Sequence, residues 1–267
     1  FPISVRMADL FKKEGYTGNI TVDSVGTGAG FERFCKTGET DISNASRAIK
    51  SAETDNCKKI NRAPVEFYVA IDALAVVVSG ENTFAKNLTK AQLTAIYSGK
   101  AAKWSDVDPT FPAEAIKLFS PGTDSGTFDY FTEEMKIKKE DIIKVPGIQL
   151  SENDNVLVKG VEGSKYAIGY FGFAYYAADK CKLRAVNIGS VEPSKETVEA
   201  NKYPLSRPLF IYSTAQIMKE KPQVAAFIKF YLDSATKEVA KVGYFPAPAA
   251  DQKKALDTFN AATGMAK

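Results

Sequence analysis

Apolar residues fall at helical spacing from the start of the chain, in Ile3-Ser4-Val5-Arg6-Met7-Ala8-Asp9-Leu10-Phe11. Pro2 suits a first helical position, where its missing N–H costs nothing. Gly15 and Gly18 should end that helix, and Ile20 to Val25 reads as a short strand. The glycine-rich stretch Gly26-Thr27-Gly28-Ala29-Gly30 reads as a turn opening onto a helix at Phe31. A brief strand ending in polar groups follows at 41–47, then a helix around Ser51 to Ile60. Val65 to Val69 and Leu74 to Val78 are β-branched apolar runs of the kind that form buried strands. Thr89 precedes a helical apolar face that runs to Tyr97. Ile116 to Phe119 predicts a strand, Ser120 to Thr127 a polar turn, and Phe128 to Met135 a helix. Later come a helix at Asn155–Val161, a glycine-interrupted aromatic stretch at Ala167–Phe173 and a strand at Pro208–Ser213. Helices near Pro222–Leu232 and Lys253–Ala261 close the pattern. Alternating strands and helices imply an α/β fold with one or two mostly parallel sheets. In such folds ligands sit at the carboxyl ends of strands, against helix N-termini.

Three strand-to-helix junctions are rich in glycine and hydroxyls. Unpaired N–H groups at a helix start carry a partial positive charge of about half an electron. Glycine lets a ligand approach the backbone closely, and Ser and Thr add donors. Gly26 to Gly30 and Asp124-Ser125-Gly126-Thr127 both have this build, and Ser46-Arg47 adds a hydroxyl and a guanidinium suited to an oxyanion. The same residues are also ordinary helix caps and turn formers. Composition alone leaves the two readings level.

The chain has 267 residues with 45% hydrophobic and 25% charged, the balance of a globular protein with one or two lobes. Its formal charge of +3 is too small for the basic footprint of a nucleic-acid binder. Histidine is absent, which removes His-based nucleophile systems, His-ligated zinc and imidazole proton shuttles. No Walker loop, dinucleotide fingerprint, EF-hand or zinc spacing appears, so no cofactor or metal is expected. Glu133, Glu134, Glu140 and Asp141 read as a solvated helix surface, and Trp104 with the aromatics from Tyr170 to Tyr176 as core. Cys35 and Cys57 could form a bridge worth roughly 3 kcal/mol of unfolded-chain entropy, favoured by an oxidising compartment. Alternatively, these two and Cys181 are three unrelated small buried residues. No signal peptide opens the chain, which implies a mature, trimmed form or an intracellular protein.

The junctions also carry a resemblance. Val25-Gly26-Thr27-Gly28-Ala29-Gly30-Phe31, Asp41-Ile42-Ser43-Asn44-Ala45-Ser46-Arg47 and the run from Ser120 to Phe131 are similar to the periplasmic phosphate-binding (PstS-type) proteins of phosphate ABC transporters. The resemblance is strongest to a bacterial branch with cyanobacterial members. Phe1-Pro2-Ile3, Asp154 to Val158 and Ile168 to Tyr176 extend it across nearly the whole chain. It implies a periplasmic-binding-protein type II-like fold: two lobes with mixed, mostly parallel sheets joined by crossing strands. One lobe would be 1–79 plus 208–267, the other 80–207, with the ligand cleft between them. The implied ligand is inorganic phosphate and the implied partner a membrane permease of an ABC transporter. The chain itself would be monomeric, non-enzymatic and periplasmic, or exported and membrane-anchored. Carried over by motif, phosphate would touch the Phe1 backbone N–H, Thr27, Ser125, Gly126 and Thr127, with Ser46 and Arg47 beside them.

Three departures qualify the carry-over. The family's leading strand and hydroxyl-rich turn before Phe1 are absent, so the sequence is truncated or one hydroxyl ligand is missing. Arg47 replaces a carboxylate that accepts the phosphate proton in other branches, and Pro121 stands where those carry an arginine. Compensating chemistry would have Arg47 supply the displaced charge and Asp124 the displaced acceptor. Two other functions stay open: binding of another tetrahedral oxyanion, and a secreted phosphohydrolase with Ser125 or Thr127 as nucleophile.

Overall fold

The structure is a computed structural model describing residues 1–178 and 182–264, so Cys181 lies outside the described residues. Its strands are β1 (Ser43–Ala45), β2 (Pro64–Ser79), β3 (Asn87–Leu88), β4 (Lys117–Pro121) and β5 (Gln149–Ser151). They continue with β6 (Ala167–Gly172), β7 (Leu183–Ala185), β8 (Asn187–Ile188), β9 (Ser206–Thr214) and β10 (Phe245–Pro246). The chain divides into two compact units, Phe1–Asp72 with Arg207–Lys267, and Ala73–Ser206.

In the first unit β9 lies between β1 and β2, pairing antiparallel with β1 (Asn44 opposite Ile211), while β10 runs antiparallel to β2 (Phe245 opposite Ile71). Helices Pro2–Lys13, Pro222–Glu238 and Ala249–Thr263 supply the apolar faces that bury Met7, Ile228 and Phe259 beside Phe31, Phe34, Phe67 and Tyr212. Cys35 and Cys57 form a disulfide across 22 residues and are fully buried, which settles the alternative left by their spacing. It ties the π-helix Arg33–Thr37 to the helix Ser51–Lys59.

The second unit places β6 between the end of β2, which it meets antiparallel (Val76 opposite Tyr170), and β4, which it meets parallel (Leu118 opposite Ile168). β5 extends the parallel part, with Ser120 opposite Leu150. β7 runs antiparallel to β2, and β3 and β8 form a separate parallel pair. An aromatic stack fixes this sheet. Phe131 lies on Tyr170 at 3.8 Å, Tyr97 meets both rings edge-on, and the Tyr97 hydroxyl donates to the Phe119 carbonyl at 3.2 Å. Trp104, Tyr170, Phe171 and Phe173 are core, as expected, whereas Tyr175 is exposed and Tyr176 only partly buried, so the core reading fails at that end of the stretch.

Three element expectations need correction. Val65–Val69 and Leu74–Val78 are one strand, β2, because Asp72 between them is not a break: Arg207 pairs with it at 3.1 Å and removes the cost of burying the carboxylate. Ile20–Val25 forms no ladder; Ile20 and Val22 satisfy their alternation by packing on the core with no strand beside them among the described residues. The stretch Gly26–Gly30 is not a turn before a helix but the first part of one, Gly26–Glu32. Burial of Phe31 offsets the poor helix propensity of these glycines, and a Cβ at Gly30 would lie only 3.1 Å from Ser43 Oγ on β1.

Candidate functional site

In the first unit the helix Gly26–Glu32 meets the end of β1. Thr27 Oγ1 accepts the Ser46 backbone N–H at 3.0 Å and shares a second hydrogen bond with Ser46 Oγ at 3.0 Å. Two residues 19 apart in sequence are thus brought together as a hydroxyl pair. Arg47 follows, its guanidinium 5.6 Å above the Phe31 ring. Both its terminal nitrogens engage Glu53, at 2.9 and 2.7 Å, a bidentate pairing that fixes the plane of the fork. The hydrogen bond from Arg47 holds the Glu53 carboxyl below its ordinary value of 4.5, against the opposing effect of burial. Glu53 also accepts the Lys50 N–H at 2.9 Å, which anchors it to the start of its own helix. Beneath this cluster the Tyr212 hydroxyl accepts the Ile49 N–H at 3.0 Å and donates to Glu66. Phe1 stands immediately before the helix Pro2–Lys13 with its side chain exposed.

In the second unit β4 delivers the loop 122–125 to the helix Gly126–Met135. Ser125 caps that helix, its Oγ accepting the Thr127 N–H at 3.2 Å. Below the loop Ser120 Oγ hydrogen-bonds the Tyr170 hydroxyl at 2.7 Å, tying the strand end to the aromatic stack. Asp124 is exposed, and its backbone N–H donates to Glu152 Oε1 at 3.2 Å. Nearby, burial raises the Asp154 pKa; a hydrogen bond from Tyr175 opposes the rise and the Glu152 charge adds to it.

Of the residues singled out from sequence, the structure joins Thr27, Ser46 and Arg47 in the first unit, and Asp124 to Thr127 in the second. Glu53, Glu152, Asp72 and Arg207 were not singled out. Glu53 carried a signal, since it stands at the third position of a helix where a capping carboxylate reaches back. Glu152 carried none, because its partner is set by the β4–β5 register. No group of three metal-ligating side chains occurs among the described residues, and no described helix is long and apolar enough to cross a membrane.

A family model described as the PBP superfamily domain matches residues 2–235. The phosphate-binding protein PstS of Staphylococcus haemolyticus is 38% identical over 96% of this chain and 80% of its own length. This chain belongs to the PBP superfamily, in its PstS-type branch. The members of that branch are solute-binding proteins. Protein SphX of Synechococcus elongatus is 42% identical, across 97% of this chain and 78% of its own. Among solved structures, a possible phosphate binding protein from Planctomyces limnophilus superposes with a TM-score of 0.92 at 42% identity, covering 98% of this chain and 95% of that one. The PstS-type assignment agrees with the mixed α/β architecture and with the hydroxyl-rich helix starts at Thr27 and Ser125.

Proposed function

We propose that this PstS-type chain binds inorganic phosphate in the periplasm and delivers it to the permease of a phosphate ABC transporter, without catalysing a reaction. The observation that carries this reading is the Ser125–Gly126–Thr127 cap at the start of a ten-residue helix, in a chain 38% identical to a phosphate-binding protein. Helix N-terminal amides and hydroxyls suit a small oxyanion, and each donor to a charged group is worth about 1.5–3 kcal/mol. The ligand set comprises the Phe1 backbone N–H, Thr27, Ser46, Arg47, Asp124, Ser125, Gly126 and Thr127. Arg47 supplies positive charge while its plane is set by Glu53.

Asp124 gives the site its selectivity. Phosphate near neutral pH keeps at least one proton, which a carboxylate can accept, whereas sulfate offers only bare oxygens. An unmet polar contact of this kind discriminates by factors of about 10⁴.

Thermal stabilisation across phosphate, arsenate, sulfate and molybdate tests the proposal. Phosphate at about 100 times its dissociation constant should add roughly 2.7 kcal/mol of apparent stability. Sulfate should add little, and Asp124→Asn should narrow the gap between the two ions. Equal stabilisation by phosphate and sulfate would remove the selectivity argument, and turnover of a chromogenic phosphate ester would favour a phosphohydrolase.

A further inference from the structure

The turn that leads into the helix Gly126–Met135 is held by three hydrogen bonds, two of them to the neighbouring segment 151–152. The Gly122 N–H donates to the Ser151 carbonyl at 3.0 Å, continuing the β4–β5 pairing by one residue. Ser125 N–H then donates to the Gly122 carbonyl at 3.1 Å and closes the turn. The last bond, from Asp124 N–H to Glu152 Oε1, is the only one of the three that uses a side chain. A Cβ built on Gly122 would stand 1.8 Å from that same oxygen and 2.4 Å from its carboxyl carbon. The carboxylate therefore fills the volume that any side chain at position 122 would take. A side chain at 122 would have to push this carboxylate, the far end of an exposed glutamate, out of its place.

Glu152 is otherwise an exposed residue on the loop after β5. No burial forces its side chain across to the neighbouring loop, so the charge-assisted bond to Asp124 is what holds it there. That bond fixes the Thr123–Asp124 peptide, one residue ahead of Ser125, whose hydroxyl caps the helix.

We propose that Glu152 is a positioning residue for the Ser125–Gly126–Thr127 cradle, latching the binding turn through the Asp124 N–H into the space that Gly122 leaves open. It acts through the backbone and does not touch the ligand. The inference rests on the phosphate-binding reading, and it adds a requirement: residues 122 and 152 work as one unit.

Inorganic phosphate titrations and amide exchange at residues 122–127, measured together on the full chain, test the latch. Glu152→Ala should weaken phosphate binding about tenfold and speed exchange of the Asp124 amide about as much, the effect of losing one charge-assisted hydrogen bond. Glu152→Gln keeps an acceptor oxygen and should restore both. Gly122→Ala displaces the carboxylate and should reproduce Glu152→Ala, while the double variant should be no worse than either single one. The latch is overturned if Glu152→Ala leaves affinity and exchange unchanged, if Glu152→Gln behaves as the alanine variant, or if the losses at 122 and 152 add. Absence of phosphate binding by the parent protein would instead defeat the functional reading, and the exchange measurement would still decide whether the latch exists.

Discussion

The helix Gly26–Glu32 of the first unit begins without a side-chain cap, while Ser125 caps its counterpart in the second unit through the Thr127 N–H. The groups of the first cluster are held from other elements: Thr27 by Ser46, 19 positions on, and Arg47 by Glu53, six positions on, which sits on the disulfide-linked helix. Those of the second are held by near neighbours, apart from the single side-chain contact across to Glu152. Similar donor chemistry is thus supported by tertiary structure in one unit and by local helix capping in the other. Damage to the first should spread through its unit. Damage to the second should stay at the end of its helix.

The largest effect tests the tertiary half of that contrast. Replacing Cys35 and Cys57 together with serine should cost roughly 3 kcal/mol, the loop-closure value for a bridge of this span. Amide exchange should accelerate across residues 26–60 and leave 117–135 unchanged; acceleration spread evenly over both units would break the comparison. Next comes Ser125→Ala, which should cost about 1 kcal/mol of stability by loss of a cap. Its effect on exchange should be confined to the first turn of the helix Gly126–Met135, with phosphate affinity falling about tenfold or more.

The smallest effect is Glu53→Gln, worth about 0.5–1 kcal/mol at neutral pH because the pair is only partly buried. The Glu53 carboxyl titrates below 4.5 when folded, so on acidification the unfolded chain takes up this proton first. The pairing therefore contributes fully above about pH 4.5 and is lost as pH falls through the depressed folded value. The difference in melting temperature between parent and Glu53→Gln should be constant near neutrality and shrink in acid. A difference that grew on acidification would reverse the sign assigned to Glu53.

The long periodic helices were legible because their apolar faces repeat over several turns, as in Ile3–Phe11 and Pro222–Leu232. The boundaries that failed did so where a distant residue changed the meaning of a local signal. Val65–Val69 and Leu74–Val78 are separate apolar runs in the sequence, and it is Arg207 set against the intervening Asp72 that carries one strand through both. Gly26–Gly30 has the composition of a turn, yet Phe31 and the close approach to β1 make it helical. At the candidate site the hydroxyls and glycines could be recognised from their clustering, since capping and anion binding favour the same residue types. Their supporting carboxylates could not. Arg47 and Glu53 are six positions apart, and Glu152 lies 28 positions from Asp124. Only the paired strands bring Glu152 to its partner.

The most direct measurement is a calorimetric titration with inorganic phosphate after the protein has been unfolded, freed of any copurified ion and refolded. The account predicts saturable 1:1 binding that Thr27→Val and Ser125→Ala each weaken. No heat of binding, or binding that neither substitution alters, would contradict it.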